Sequence, residues 1–408
     1  MGKYPKTGAD ASASSDQWQI ADGVDPSFSA CVIAWQQEHG RHLLPWQNTR
    51  DAYRIWLSEI MLQQTQVAAV IPYYSRFLAR FPDLFSLAAA PSEAVMSHWS
   101  GLGYYSRARN LHRCAQRVVE QYGGVFPAAP ELLAELPGIG RSTAAAIAAF
   151  SQGVRAAILD ANVKRVLIRV FGIEGYPSAK PVQDALWLRA QALLPQDGIE
   201  AYTQGLMDLG ATLCTRSKPA CDRCPLISRC VAHASDRVAL LPMRKPKPAV
   251  PHKQTAMLII TDAAQVLLQL RPDNGIWGGL LSLPEVDGQT ALNLAQMPDP
   301  AQFAQSVARI VAPFGSIASC QPLPSFSHGF THFKLQVTPY RVRLARRLPA
   351  VGQNSHVWYA QSQLADAPLP APVKKLLLAL FDATGTSQLA QSSQAVRQRT
   401  NANQENLR

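Results

Sequence analysis

The sequence predicts a multi-domain protein, an all-α half followed by an α+β half. Three observations predict this. The 408 residues exceed what one hydrophobic core usually organises. From about residue 27 to 235 apolar residues recur at helical spacing, with few β-rich stretches between them. After the run RVALLPMRKPKPAVPHK, residues 237–253, the pattern changes to short apolar strands.

Taken in order, residues 1–25 are rich in Ser, Ala, Asp and Gly and read as a disordered tail. Residues 26–236 form the helical domain. Asp51 is placed to cap a helix through YRIWLSEIMLQQTQ, on which Gln63 and Gln66 share the face of Glu59. PELLAEL and STAAAIAAF are two further helical runs, and AILD is a strand-like stretch leading into a helix. Four prolines and five basic residues make 237–253 a semi-rigid linker. In 254–383, TAMLIITDAAQVLLQLRP reads as a hairpin turning at Asp262-Ala263-Ala264. LQVTPYRVRL and HVWYA read as strands and PAPVKKLLLALF as a helix. Residues 384–408 read as a second disordered tail, and no internal repeat is visible.

Lys and Arg number 39 against 28 Asp and Glu, a net charge of +11. That balance favours a polyanionic partner, nucleic acid or an acidic membrane surface. No apolar run reaches the roughly 18 residues that span a bilayer. The N-terminus has no apolar segment of the secretory kind, and Cys31, Cys114 and Cys320 are scattered. A reducing, cytoplasmic setting is expected, with Cys31 and Cys114 as buried small hydrophobes.

The other four cysteines, Cys214, Cys221, Cys224 and Cys230, fall within CTRSKPACDRCPLISRC, spaced C-x6-C-x2-C-x5-C. Zinc sites usually pair two knuckles, or one knuckle with two histidines, and His233 has no partner histidine nearby. An all-cysteine set in a compact loop suits a four-iron iron–sulfur cluster, one thiolate per iron. The spacing favours that reading and leaves zinc open. Arg216, Lys218, Arg223 and Arg229 are expected to face outward, where they can meet phosphates.

Leu136-Pro137-Gly138-Ile139-Gly140 joins two helical runs. Gly138 and Gly140 allow positive φ and leave backbone N–H groups unshielded, and a helix then starts near Ser142. A bare helix start binds phosphate without reading the base, so LPGIG reads as a helix–hairpin–helix element for non-specific duplex binding.

Two carboxylates stand out. Glu59 sits among Ile55, Leu57, Ile60, Met61 and Leu62, where poor solvation raises a carboxyl pKa and suits a general acid. Asp160 precedes a helix, as an N-cap does, and the helix dipole is expected to keep it ionised. A raised Glu and a depressed Asp divide the labour of cleaving a glycosidic bond.

LPWQ at 44–47, WLSEIMLQQTQV, GLGYYSRARNL, LPGIGRSTA, ILDANVKRV and the cysteine loop resemble, in order, the adenine DNA glycosylases of the MutY type. The resemblance covers about residues 27–380. It implies removal of adenine opposite 8-oxoguanine or guanine in double-stranded DNA, by a monomer that flips the base out, in the cytoplasm at the nucleoid. It implies a [4Fe-4S] cluster on Cys214, Cys221, Cys224 and Cys230. Glu59 matches the acid, Asp160 the carboxylate that stabilises the oxocarbenium ion, and Asn162 a supporting residue. Gln64 and Tyr104 match side chains wedged into the duplex, with Gln63, Gly138, Gly140 and Ser142 as further DNA contacts. Trp46, Gln47 and Asp208 fall at the substrate pocket. The second half resembles a Nudix-type domain whose Phe330, Thr331 and His332 read 8-oxoguanine. Its 272–320 segment has a single Glu, Glu285, too few for the Mg2+ of a Nudix hydrolase.

Two rivals stand beside this reading, the second of them from another class. A glycosylase/lyase of the endonuclease III type needs a Lys nucleophile where this chain has Ser142. A non-enzymatic iron–sulfur DNA-binding regulator has no use for Glu59 and Asp160.

Overall fold

The computed structural model describes residues 26–245, 250–286, 300–330, 332–349 and 355–381, so the expected tails and Thr331 lie outside the described residues. In chain order come α1 (Pro26–His39), α2 (Ala52–Leu62), α3 (Val67–Arg80), α4 (Leu84–Ala88), α5 (Ser92–Trp99) and α6 (Ser106–Tyr122). There follow α7 (Pro130–Ala134), α8 (Arg141–Gln152), α9 (Ala161–Phe171), α10 (Lys180–Ala192), α11 (Ile199–Asp208) and α12 (Val231–Ala234). The strands are β1 (His252–Asp262), β2 (Gln265–Leu270), β3 (Leu281–Ser282), β4 (Gly315–Pro322), β5 (Phe326–Gly329), β6 (Lys334–Arg347) and β7 (His356–Ala360). Helix α13 (Pro300–Val311) precedes β4, and residues 371–381 are helical. Among the described residues no helix is long and apolar enough to cross a membrane.

The chain divides into two compact units, residues 1–64 with 117–246 and residues 65–116 with 247–408. The first is helical. Its core is built around α8, whose Ala144, Ala145, Ala146, Ala148 and Ala149 are at most 2% exposed. Such small side chains let α2, α7 and α11 approach it closely. Phe28 and Val32 of α1 and Val163, Val166 and Leu167 of α9 complete this core. Of the expected linker, Leu241 is buried and its carbonyl accepts from Arg169 Nε at 2.9 Å. That part packs into the helical unit, and β1 takes the far end of the linker.

In the second unit a mixed sheet runs β3-β2-β1-β6-β4, with β5 on β6 and β7 on β2. Strands β1 and β6 pair in parallel, and β1 and β2 form the expected hairpin, with Thr261 opposite Val266 and Asp262 opposite Gln265. Its two-residue turn uses Ala263 at φ 47°. Helices α3 and α5 and residues 106–116 of α6 belong to this unit, where Phe77 stacks edge-on to Trp99 at 6.1 Å between ring centroids. Ser97 Oγ donates to Asp366 O at 2.6 Å and Ser100 Oγ to Leu369 O at 2.9 Å. These bonds join α5 and its C-cap to the chain before the last helix. A sheet with helices, preceded by a helical half, is the expected fold class.

Three local expectations change. Helix α2 stops at Leu62, because Gln63 turns to φ −57°, ψ 114° and Gln64 takes φ 56°. Gln63 and Gln66 therefore leave the face of Glu59. Residues 153–160 are neither helix nor strand, so AILD is a connector. Cys31 is half-buried and donates to Pro225 O at 3.1 Å, while Cys114 is fully buried as expected.

Candidate active site

Asp51 caps α2 by accepting from the Tyr53 N–H at 2.9 Å, and α2 then carries Glu59. Ile55, Leu57, Ile60 and Met61 around it are at most 3% exposed. Burial pushes the Glu59 carboxyl up to about 8, and the Asp160 charge adds to the rise. Below that pH Glu59 holds a proton it can deliver.

Asp160 is the N-cap of α9, its Oδ1 accepting from the Val163 N–H at 2.7 Å. The expected depression of its pKa is overturned. Burial raises it above the ordinary carboxylate range, against the pull of the Val163 and Asn162 N–H groups and of the Arg165 and Lys164 charges. Desolvation outweighs the helix dipole here, because the half-buried Asp160 carboxyl is largely withdrawn from water. The two carboxyls still differ: Glu59 is raised by burial and by the Asp160 charge, whereas Asp160 has four groups favouring its anion.

Helix α9 also carries two arginines that the sequence reading missed. Arg165 Nη2 donates to Asn162 Oδ1 at 2.8 Å and to Gly210 O at 2.6 Å, and its Nε donates to Cys214 O at 2.7 Å. One guanidinium thus links Asn162 to the start of the cysteine loop. Gly210 lies in a π-helical turn, Leu209–Leu213, against Asn162, where a Cβ would meet the Asn162 backbone at 3.0 Å. Arg169, 2% exposed, donates from Nη1 to Thr215 O at 2.7 Å and reaches Cys214 Sγ at 3.4 Å. The available signal was two arginines at i and i+4 on a largely apolar helix.

Cys214, Cys221, Cys224 and Cys230 line one cavity with apolar walls that include Val166, Leu209 and Leu226. Among the described residues no three His, Cys, Asp or Glu side chains converge as a metal-ligand group. The Cys224 thiol is pushed up to about 11, by burial first and also by the other three cysteines. Arg216, Lys218 and Arg223 are exposed as expected. Arg229 is not: it is half-buried, with Nη2 donating to Ser27 Oγ at 2.5 Å and its guanidinium 6.0 Å from the Phe28 ring.

In the LPGIG turn, Leu136 and Ile139 are buried pegs and both glycines are exposed. Gly138 uses φ 80°, whereas Gly140, the N-cap of α8, has φ −93°. The contribution of Gly140 is a missing side chain, since α8 starts with no side-chain cap and its N–H groups stay open. Ser142 does not face outward. Its Oγ accepts from the Leu159 N–H at 2.9 Å and so ties α8 to the residue before Asp160. Gln63 Nε2 sits 3.5 Å from both Gly138 O and Thr143 Oγ1.

The remaining pocket candidates of this unit form a brace. Asp208, fully buried, accepts from the Arg41 N–H at 2.8 Å, from Arg41 Nε at 2.7 Å and from Gln204 Nε2 at 2.8 Å. Gln47 in turn donates to Arg41 O at 2.8 Å and accepts from the Leu44 N–H at 3.0 Å. Both residues therefore hold the loop that carries Trp46, itself 8% exposed.

In the second unit Tyr104 is 47% exposed and takes φ 49°, an uncommon conformation for an aromatic residue. Arg107 Nη2 holds its loop by donating to Gly103 O at 3.2 Å and to Thr65 Oγ1 at 3.0 Å. Burial lowers the Arg107 guanidinium to about 10. Tyr104, Phe330 and His332, far apart in sequence, line one cavity of this unit.

A helical site with a buried acid, a capping carboxylate and a bare hairpin helix start defines a base-excision class. Residues 57–191 match the HhH-GPD superfamily of base excision DNA repair proteins, and residues 255–379 match the NUDIX domain. An adenine DNA glycosylase of Buchnera aphidicola subsp. Acyrthosiphon pisum (strain APS) is 35% identical over 351 residues, 86% of this chain and 96% of that protein. The adenine DNA glycosylase of Homo sapiens is 32% identical over 405 residues, 86% of this chain and 73% of that protein. A thermostable thymine-DNA glycosylase structure is 30% identical with a TM-score of 0.47, covering 51% of this chain and 96% of that one. The chain belongs to the adenine DNA glycosylase family.

Proposed function

We propose that this enzyme hydrolyses the N-glycosidic bond of adenine paired with 8-oxoguanine or guanine in double-stranded DNA. The observation that carries the reading is the Glu59–Asp160 pair, one carboxyl raised to about 8 and the other capping α9 beside Arg165 and Lys164. With adenine flipped out of the stack, Glu59 delivers its proton to N7 and the base becomes a neutral leaving group. Asp160 then bears the negative charge that faces the oxocarbenium-like sugar. Asn162, fixed through Arg165, keeps that end of the site in register. The open N–H groups of α8 at Gly138–Gly140 hold a phosphate.

The reaction is monofunctional, because Ser142 is turned onto Leu159 where a lyase would present an amine. Tyr104 and Gln64, both at positive φ, are the candidate side chains for filling the stack, and Phe330, Thr331 and His332 read 8-oxoguanine. Glu285 is paired with Arg271 at 2.6 Å, so the second domain recognises rather than hydrolyses. The division into a catalytic domain at 26–236 and a recognition domain at 254–383 belongs to this proposal, as does a monomeric, nucleoid-associated protein.

Four thiols around one apolar cavity, with Arg169 at its wall, fit a [4Fe-4S] cluster on Cys214, Cys221, Cys224 and Cys230. Bound there, the cluster supplies a structural staple for the loop.

The test is base release from labelled duplexes carrying A·8-oxoG, C·8-oxoG or thymine glycol, with and without alkali. Strand breaks only after alkali, and only with A·8-oxoG, are expected. Breaks on thymine glycol without alkali would instead establish a lyase.

A further inference from the structure

The loop Gly275–Gly279 enters neither the chemistry nor the reading motif, yet it is braced from two sides. Trp277 at its centre takes φ 56°, which a bulky aromatic adopts only when its surroundings impose it. Arg271 imposes it. Its Nε donates to Ile276 O at 3.1 Å, its backbone N–H donates to Leu280 O at 2.9 Å, and its guanidinium lies 5.9 Å from the Trp277 ring centroid. Arg271 is fixed in turn by Glu285 at 2.6 Å, a pair whose side chains are 14% and 7% exposed. Glu285 is anchored to the sheet by its bridge to Met257 of β1. From the other side, Arg109 of α6 donates to Gly278 O.

The braced indole is 7% exposed and packs against the reading loop. Its centroid lies 5.5 Å from Phe330 and 5.8 Å from His328, which meets Phe330 edge-on at 4.7 Å. Phe330 stacks on Phe333 at 4.7 Å, and Lys253 Nζ covers Phe333 at 4.7 Å. His332 beyond it stays exposed. The support for Phe330 therefore runs from β1 through Glu285 and Arg271 to Trp277.

We infer that Trp277 is a positioning residue for discrimination between 8-oxoguanine and guanine, acting through Phe330 and resting on the proposed reading role of residues 330–332. Its contacts are with Arg271, His328 and Phe330, and it is no part of the Glu59–Asp160 pair. Its loss should therefore change which opposing base is preferred and leave the chemistry alone.

The experiment measures single-turnover adenine release from A·8-oxoG and A·G duplexes with the full chain. Trp277→Leu is expected to lower the A·8-oxoG to A·G rate ratio by about tenfold, the worth of a lost aromatic pair. The A·G rate should stay within about twofold, and Trp277→Phe should recover most of the ratio. An equal fall in both rates would mark Trp277 as merely structural and overturn the inference. Phe330→Ala and His332→Ala run alongside. If neither alters the ratio, the reading role itself is wrong; if they do and Trp277→Leu does not, the inference alone falls. Should Trp277→Leu fail to fold, Glu285→Gln removes the charge behind Arg271 with little change of shape. It is expected to lower the ratio in the same direction, and an unchanged ratio overturns the proposal.

Discussion

Glu59 and Asp160 show how two carboxyls in one helical unit come to have different surroundings. Burial acts on both, but only Asp160 has helix N–H donors and neighbouring cations to favour its anion. Glu59→Gln should lower base release by about 10²–10⁴-fold while leaving duplex binding intact. Single-turnover kinetics beside a binding titration checks this, and an unchanged rate sinks the acid assignment. The pH profile follows from the same residue. Activity should decline above pH 8, as Glu59 loses its proton, and decline again on the acid side, as Asp160 gains one. On the alkaline side stability moves the same way. The folded pKa of about 8 exceeds the ordinary 4.5, so the folded state binds more protons between those values. The Glu59 contribution is therefore fully present below pH 4.5 and is lost as pH rises through 8. Glu59→Gln should accordingly melt higher than the parent at pH 9 and show little difference at pH 4. A melting difference that does not change with pH would contradict the raised value.

Helix α9 links two parts of the helical unit, with Asp160 at its N-cap and the cysteine loop held by Arg165 and Arg169. Arg169→Leu leaves the carbonyls of Thr215 and Leu241 without that donor, which should cost about 1–3 kcal/mol for each buried acceptor left bare. Thermal melting and faster proteolysis within 214–230 are the readouts, and parent-like melting would show the loop to be held otherwise. Helix α8 gives the opposite case. Ala146→Leu, at a fully buried position, should cost about 1–3 kcal/mol by overpacking. Much at this scale was legible beforehand: the Asp51 cap, the LPGIG turn, the β1–β2 hairpin and the poorly solvated Glu59 each follow from local pattern. What was not legible depends on tertiary surroundings. Nothing in QQTQ announces that Gln64 will turn left-handed and end α2, since no glycine marks the place. The dipole at Asp160 could be read from sequence, but the burial that outweighs it could not. Ser142, Arg229 and Asp208 each face an internal partner that lies distant in the chain.

For the molecule as a whole, the net charge of +11 sets how strongly and how broadly it holds a polyanion. Affinity for a duplex should fall steeply with salt, by about 0.9 logarithmic units per tenfold salt for each neutralised phosphate. Arg216, Lys218 and Arg223 are the exposed cations of the cysteine loop, whereas Arg229 is engaged with Ser27. Replacing those three by Ala should reduce the slope by on the order of 2–3 units if each meets one phosphate. The weakening should be uniform across duplex sequences and across A·8-oxoG and A·G pairs, because phosphate contacts carry no base information. Once the duplex is saturated, the rate of adenine release should match the parent, since none of the three touches Glu59 or Asp160. Fluorescence anisotropy at several salt concentrations separates the outcomes. An unchanged slope would mean that the loop cations do not meet DNA. A changed rate at saturation would mean that the loop acts on the active site through Arg165 and α9.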